Sequence, residues 1–302
     1  MLQIYNKTPV VGISTLICCA YRSTAMPPSS KVCENPTDIP VTALVFKLSD
    51  GRCLAYKERG VPKDAAKYKV IVVHGYDSSK DVYLPLSQEF IENHGLYIVT
   101  FDRPGYGESD PNPKRTVKSD TFDVQELADH LTLGSKFYVV GVSLGNYISW
   151  GFLKYLPHRL AGAALVVPVI NYWWPSFPPE MVTKAFKMLP KRDQIKLWIA
   201  HHAPTLNKAR QQGENESLYR DLKVGFGKWE FDPMEVECPF QGKQGGVHLW
   251  QGYEDRLIPY KLQRFVASKL GWIEYHEVPY GGHLIIHDNV LCEEIFQSLL
   301  LG

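Results

Sequence analysis

The sequence predicts an α/β fold: a mostly parallel central sheet with an antiparallel start and a helical insertion. Three observations lead there. From residue 42 onward, short β-branched runs alternate with amphipathic stretches, the pattern produced when crossover helices join parallel strands. The first two runs flank Ser49-Asp50-Gly51-Arg52, a hairpin signal, because Asp-Gly suits positions of positive φ. The strand rhythm then breaks over residues 171–240, a segment rich in Trp, Pro and charge that reads as a mostly helical insertion.

Taken in order, residues 42–48 and 53–58 form the hairpin arms. Residues 69–73, 97–101, 137–140 and 163–167 are compact apolar runs, as expected of strands buried on both faces. After the insertion, residues 247–250 and 272–278 repeat this pattern, with a helix opened by Pro259 over 259–270 and a closing helix over 290–300. A chain of 302 residues, 45% hydrophobic and 22% charged, is long enough to build all of this into one domain over residues 41–302. Residues 1–40 stand apart. An apolar run at 10–21 lies between Lys7 and Arg22, and Pro27, Pro28, Pro36 and Pro40 then mark an extended linker. The run is shorter than the roughly 20 residues a spanning helix needs. It reads equally as a signal or anchor segment and as a packed element, leaving localisation between the cytoplasm and a membrane such as the endoplasmic reticulum.

Several partner classes are disfavoured. A formal net charge of +1 without a basic run offers no footprint for nucleic acid and fits a small-molecule partner. The six cysteines show neither C-x-x-C pairing nor a His at metal-ligand spacing, so they signal no zinc site and no disulfide framework. His201-His202 are adjacent on a helix and point to different faces, as a solvated pair would rather than a metal site. The segment from Asp102 to Ser109 lacks the G-x-x-x-x-G-K-[ST] spacing of a phosphate loop and reads as a structural turn. No metal or cofactor is expected.

The chemistry centres on Gly141-Val142-Ser143-Leu144-Gly145, which follows a strand-like run and opens a helix-like stretch over 144–156. In that context G-x-S-x-G forms a strained turn exposing the serine hydroxyl, and the two glycines sit where side chains would clash. A serine needs a base, and the base an orienting carboxylate. His283, in Pro279-Tyr280-Gly281-Gly282-His283, and Asp255, in Gln251-Gly252-Tyr253-Glu254-Asp255, follow strands in the order Ser, Asp, His. Glu254 competes with Asp255; His287 is passed over because the glycine turn presents the nearer histidine. For an oxyanion, the N–H groups of Tyr76, after the His74-Gly75 turn, and of Leu144 are the candidate donors, with His74 a structural residue. The aromatic set Tyr172, Trp173, Trp174, Phe177, Trp198, Phe226, Trp229 and Phe231 reads as packing in the insertion, with Tyr172, Trp173 and Trp174 as candidate substrate contacts.

These segments, with Asp102-Arg103-Pro104-Gly105-Tyr106-Gly107-Glu108-Ser109, resemble the α/β-hydrolase superfamily from about residue 41 to the C-terminus. More narrowly, His74-Gly75-Tyr76-Asp77-Ser78-Ser79-Lys80, Asn171-Tyr172-Trp173-Trp174-Pro175 and the segment from Gly225 to Pro233 resemble a plant group of these proteins that carries an apolar N-terminal segment. Between Pro204 and Arg210 the chain departs from that group by a shortened lid. The expectation is hydrolysis of a small, apolar carboxylic ester by Ser143, with acyl transfer, lyase chemistry on the same residues, or a receptor-like role as alternatives. An aspartate nucleophile of the epoxide-cleaving kind is disfavoured by the serine at 143.

Overall fold

The computed structural model describes residues 43–204, 214–240 and 245–302. Its strands are β1 (Leu44–Lys47), β2 (Cys53–Gly60), β3 (Tyr68–Val73), β4 (Leu96–Phe101), β5 (Phe137–Val142), β6 (Leu160–Val166), β7 (Val247–Gly252) and β8 (Ile273–Val278). They form one sheet in the order β1-β2-β4-β3-β5-β6-β7-β8. The pairs β1·β2 and β2·β4 are antiparallel and the remainder parallel, as the Asp50-Gly51 hairpin and the apolar runs predict. Gly51 takes φ +91° at the hairpin, a conformation that costs glycine nothing.

Alternation along the central strands explains why they read as unbroken apolar runs. Ile71 and Val73 face one core with α2 (Val117–His130), α3 (Asn146–Tyr155) and α7 (Tyr260–Lys269). Val70 and Val72 face a second core with α1 (Gln88–His94) and α8 (Asn289–Leu301). Both faces of the sheet are therefore covered by helices. Helix starts are marked by local chemistry: Ser87 caps α1, Thr116 and Ser119 form a capping box on α2, and Asp288 caps α8. Between β6 and β7 the chain leaves the sheet for α4 (Pro179–Met188), α5 (Lys191–His202) and α6 (Glu214–Phe226).

Cys238 and Cys292 are free thiols, but Cys53 is disulfide-bonded. The bond at Cys53 is one that the cysteine spacing in the sequence does not signal. The apolar run at 10–21, the proline-rich linker and the shortened stretch after Pro204 lie outside the described residues. Among the described residues no helix is long and apolar enough to cross a membrane.

Candidate active site

Strand β5 delivers Ser143 into a tight turn with φ +50°, a region that a side chain normally avoids and that the surrounding structure must hold. One 3-10 turn over Ser143–Gly145 then leads into α3. A side chain at Gly145 would overlap the His74 carbonyl oxygen, and one at Gly141 would overlap Asn146 and Ser149. Close packing therefore requires both glycines.

The loops after β7 and β8 bring the other two residues to this turn. His283 Nε2 lies 2.8 Å from Ser143 Oγ, and His283 Nδ1 lies 2.8 Å from Asp255 Oδ2. An ionised carboxylate only accepts, so Nδ1 carries the proton and Nε2 is free to take one from the serine. The second oxygen of Asp255 accepts from the amides of Leu257 at 2.8 Å and Ile258 at 2.9 Å, while Gln251 Nε2 donates to Oδ2 at 3.2 Å. Burial alone would raise the Asp255 carboxyl. The His283 hydrogen bond and charge, with the two amides, hold it below its ordinary value and keep it ionised. The competing residues are excluded by position. Glu254 is exposed, and His287 Nδ1 is bonded to the Tyr83 carbonyl at 2.8 Å.

The turn after β3 packs against the serine, where a Cβ on Gly75 would stand 3.2 Å from Ser143 Cβ. The Gly75 carbonyl oxygen accepts from Arg103 Nη2 at 2.7 Å and from His74 Nδ1 at 2.9 Å. A trans peptide points its C=O and N–H in opposite directions, so fixing this oxygen also fixes the direction of the Tyr76 N–H on the other edge of the plane. His74 is wholly buried, and its Nε2 accepts the Arg103 backbone N–H at 3.1 Å. Burial, reinforced by the Arg103 charge, keeps the ring neutral with its pKa well below the usual histidine value. It is a brace, as its sequence context indicates.

A group that sequence reasoning missed stands behind this turn. The Arg103 guanidinium is forked onto Asp221 of α6, with Nη2 at 2.7 Å from Oδ2, and both side chains are fully buried. Arg115 Nη2 reaches Asp221 Oδ1 at 2.9 Å, and the Tyr106 hydroxyl donates to Oδ2 at 2.7 Å. Burial would raise the Asp221 carboxyl, but the two arginines outweigh it and lower it. The residues come from segments more than a hundred positions apart, which no local motif could have linked.

Ser143, His283, Tyr76 and Leu144 open onto one cavity of about 280 Å³, near the lower end of the size range of small-molecule sites. Val169, Ile170 and Ile258 line it from the core and Leu257 from an exposed position, while Leu189 in the loop between α4 and α5, Leu197 of α5 and Leu222 and Phe226 of α6 enclose it. Asp193 and Lys196, 3.5 Å apart, are its charged lining residues. Of the three expected substrate contacts, Tyr172 lines the cavity. The expectations for Trp173 and Trp174 are corrected. Trp173 stacks on His201 with centroids 4.3 Å apart, while Trp174 is buried against Trp150, Phe177 and Trp229. A pair of large rings fills space between helices more readily than it lines a small void. His201 is half-buried and stacks on Trp173, while His202 is exposed, as expected of a solvated residue, with its ring against Trp198.

A serine at a strained strand-to-helix turn, hydrogen-bonded through a histidine to a carboxylate on an eight-stranded mostly parallel sheet, defines the class of protein. The family model described as "Alpha/beta hydrolase family" matches residues 70–291, and the chain belongs to that family. The chain is similar to the non-heme chloroperoxidase of Streptomyces lividans, 31% identical over 136 residues that cover 44% of this chain and 45% of that protein, under half of its length. In structure it is similar to the enol-lactonase of Burkholderia xenovorans, with a TM-score of 0.60 and 14% identity over 86% of this chain and 100% of the other. A thermophilic esterase from Thermogutta terrifontis aligns with a TM-score of 0.58 and 18% identity, covering 86% and 98% of the two chains. At such identities these structures establish the shared fold.

Proposed function

We propose that the chain is a serine hydrolase that cleaves small, apolar carboxylic esters through an acyl-enzyme on Ser143. The observation that carries this reading is the unbroken chain from Ser143 Oγ through His283 to Asp255, opening onto an apolar cavity. Ser143 Oγ attacks the ester carbonyl carbon as its proton passes to His283 Nε2. Negative charge collects on the carbonyl oxygen, where the Tyr76 and Leu144 N–H groups receive it, each contributing about 3 kcal/mol of transition-state stabilisation. The intermediate collapses, and the alcohol leaves with the proton from His283. Water, deprotonated in turn by His283, then attacks the acyl-serine and the acid departs, restoring Ser143. Asp255 keeps the imidazole in the required tautomer throughout. The helices α4 to α6 act as a lid whose apolar side excludes bulk water and selects apolar acyl or alcohol groups.

The names of two structural neighbours, an esterase and an enol-lactonase, fit chemistry at a carboxyl carbon but do not choose the acyl group. The test is labelling by a fluorophosphonate together with turnover of p-nitrophenyl esters of increasing acyl length. The wild type is expected to label, to prefer short acyl chains and to lose both properties in Ser143→Ala. Labelling that persists in Ser143→Ala would overturn the assignment of the nucleophile.

A further inference from the structure

At the opposite end of the two strands that carry Asp255 and His283, three side chains converge in a way the ester chemistry does not use. His248 on β7 pairs in register with Glu274 on β8, and His276 lies two residues further along β8. The period of two in a strand places all three on one face of the sheet. One ligand atom from each lies within 4.8 Å of the others. His248 Nδ1 and His276 Nε2 are 3.0 Å apart, and the Glu274 carboxylate oxygens lie 3.6 Å from the first and 3.5 Å from the second.

We propose that His248, Glu274 and His276 bind one divalent transition-metal ion of the zinc kind, which clamps the edge strand β8 to β7. Ligands held at about 2.1 Å from a tetrahedral ion stand roughly 3.4 Å apart. The two ring nitrogens are 3.0 Å apart. Each has a different Glu274 oxygen near that spacing, Oε2 at 3.6 Å from His248 and Oε1 at 3.5 Å from His276, so a turn of the exposed carboxylate brings one oxygen to both. The donor set of two imidazoles and a carboxylate suits zinc, cobalt, nickel or copper and leaves a further position for water. The ring positions are already fixed. His276 lies parallel to the Trp250 indole, with centroids 4.1 Å apart and planes 9° apart, and the His248 side chain is only 2% exposed. Glu274 is 64% exposed, which opens the cluster to solvent and gives an ion a route in. The hydrogen on the edge shared by two neutral rings moves to the outer nitrogen of its own ring, so each imidazole presents a lone pair to the ion.

Because His248 is buried, its replacement could unfold the sheet, and the test therefore uses the more accessible ligands. Full-length protein treated with a chelator and dialysed is titrated with Zn²⁺ by calorimetry and with Co²⁺ by visible spectroscopy, alongside His276→Ala, Glu274→Gln and Ser143→Ala. The wild type and Ser143→Ala are expected to bind one Zn²⁺ per chain, to give the visible bands of low-coordinate Co²⁺ and to melt at higher temperature with metal than without. His276→Ala is expected to weaken binding at least a hundredfold and Glu274→Gln at least tenfold, while both remain folded by circular dichroism. Absence of stoichiometric binding in the wild type, or binding of unchanged strength in His276→Ala, would overturn the site. Neither readout depends on ester turnover, so this site stands or falls separately from the proposed reaction.

Discussion

Two hydrogen-bonded assemblies meet at the Gly75-Tyr76 peptide, and they differ in almost every respect. The chain from Ser143 through His283 to Asp255 is drawn from turns that directly follow β5, β8 and β7, and it opens to the cavity. The assembly of Arg103, Asp221, Arg115 and Tyr106 is sealed from solvent and joins α6 to the Gly75 carbonyl. The first performs the proposed proton transfers and the second contains no group that reaches the cavity. What the difference teaches is a division of labour in which the groups proposed to react stand at strand ends and the adjoining turn is held from behind by buried charge.

Variants can break that comparison at either side. Ser143→Ala removes the nucleophile and is expected to lower kcat by on the order of 10⁶-fold, read by steady-state turnover of a short-chain ester. Asp255→Asn leaves the shape but favours the wrong imidazole tautomer, with an expected loss of about 10⁴-fold in kcat. Asp221→Asn weakens the anchor of Arg103 without touching the cavity. Its expected effect is a fall in kcat of roughly 10 to 100-fold, part of the full loss of an oxyanion donor, with KM nearly unchanged and a lower Tm. The double variant Arg103→Met/Asp221→Leu sharpens the point, since replacing a buried pair by apolar side chains often restores stability. Recovery of Tm without recovery of kcat would separate holding the turn from holding the fold; recovery of both would remove Arg103 from the reading.

The smallest effect concerns pH. Asp221 and Asp255 both have carboxyl pKa values below the ordinary range in the folded chain. A lowered folded value contributes stability above the unfolded carboxylate pKa of about 4, and that contribution disappears as pH falls through the folded value. Tm measured between pH 6 and pH 2.5 is therefore expected to drop below about pH 4, and the drop should be shallower in Asp221→Asn. An identical acid limb in that variant would show that the buried carboxylate is not among the groups responsible.

The same contrast explains what was legible in the sequence. Ser143, Asp255 and His283 each sit in a short string whose glycines and neighbouring strand are dictated by local sterics, so the geometry leaves a trace within a few residues. The parallel core was legible for a similar reason, because burial on both faces leaves runs such as 69–73 with no polar residue after Lys69. Arg103 and Asp221 left no such trace: each is an ordinary charged residue in its own segment, and only folding reveals that they share one buried site. Trp173 and Trp174 were misplaced because composition reports an aromatic cluster without saying which rings of a turn face the void and which pack away from it. The residues His248, Glu274 and His276 fall between these cases, since both of their strands are legible in the sequence but the register that sets His248 beside Glu274 is not.

One consequence of the Gly75-Tyr76 peptide reaches beyond a single substrate. In the proposed reaction the group offered to the carbonyl oxygen belongs to the main chain, while the Tyr76 side chain is 40% exposed and forms part of the cavity wall. Position 76 thus carries two independent inheritances. Point changes there can reshape the wall and redirect substrate choice while the donated N–H passes on unaltered, so this fold can diversify what it accepts without re-evolving how it reacts.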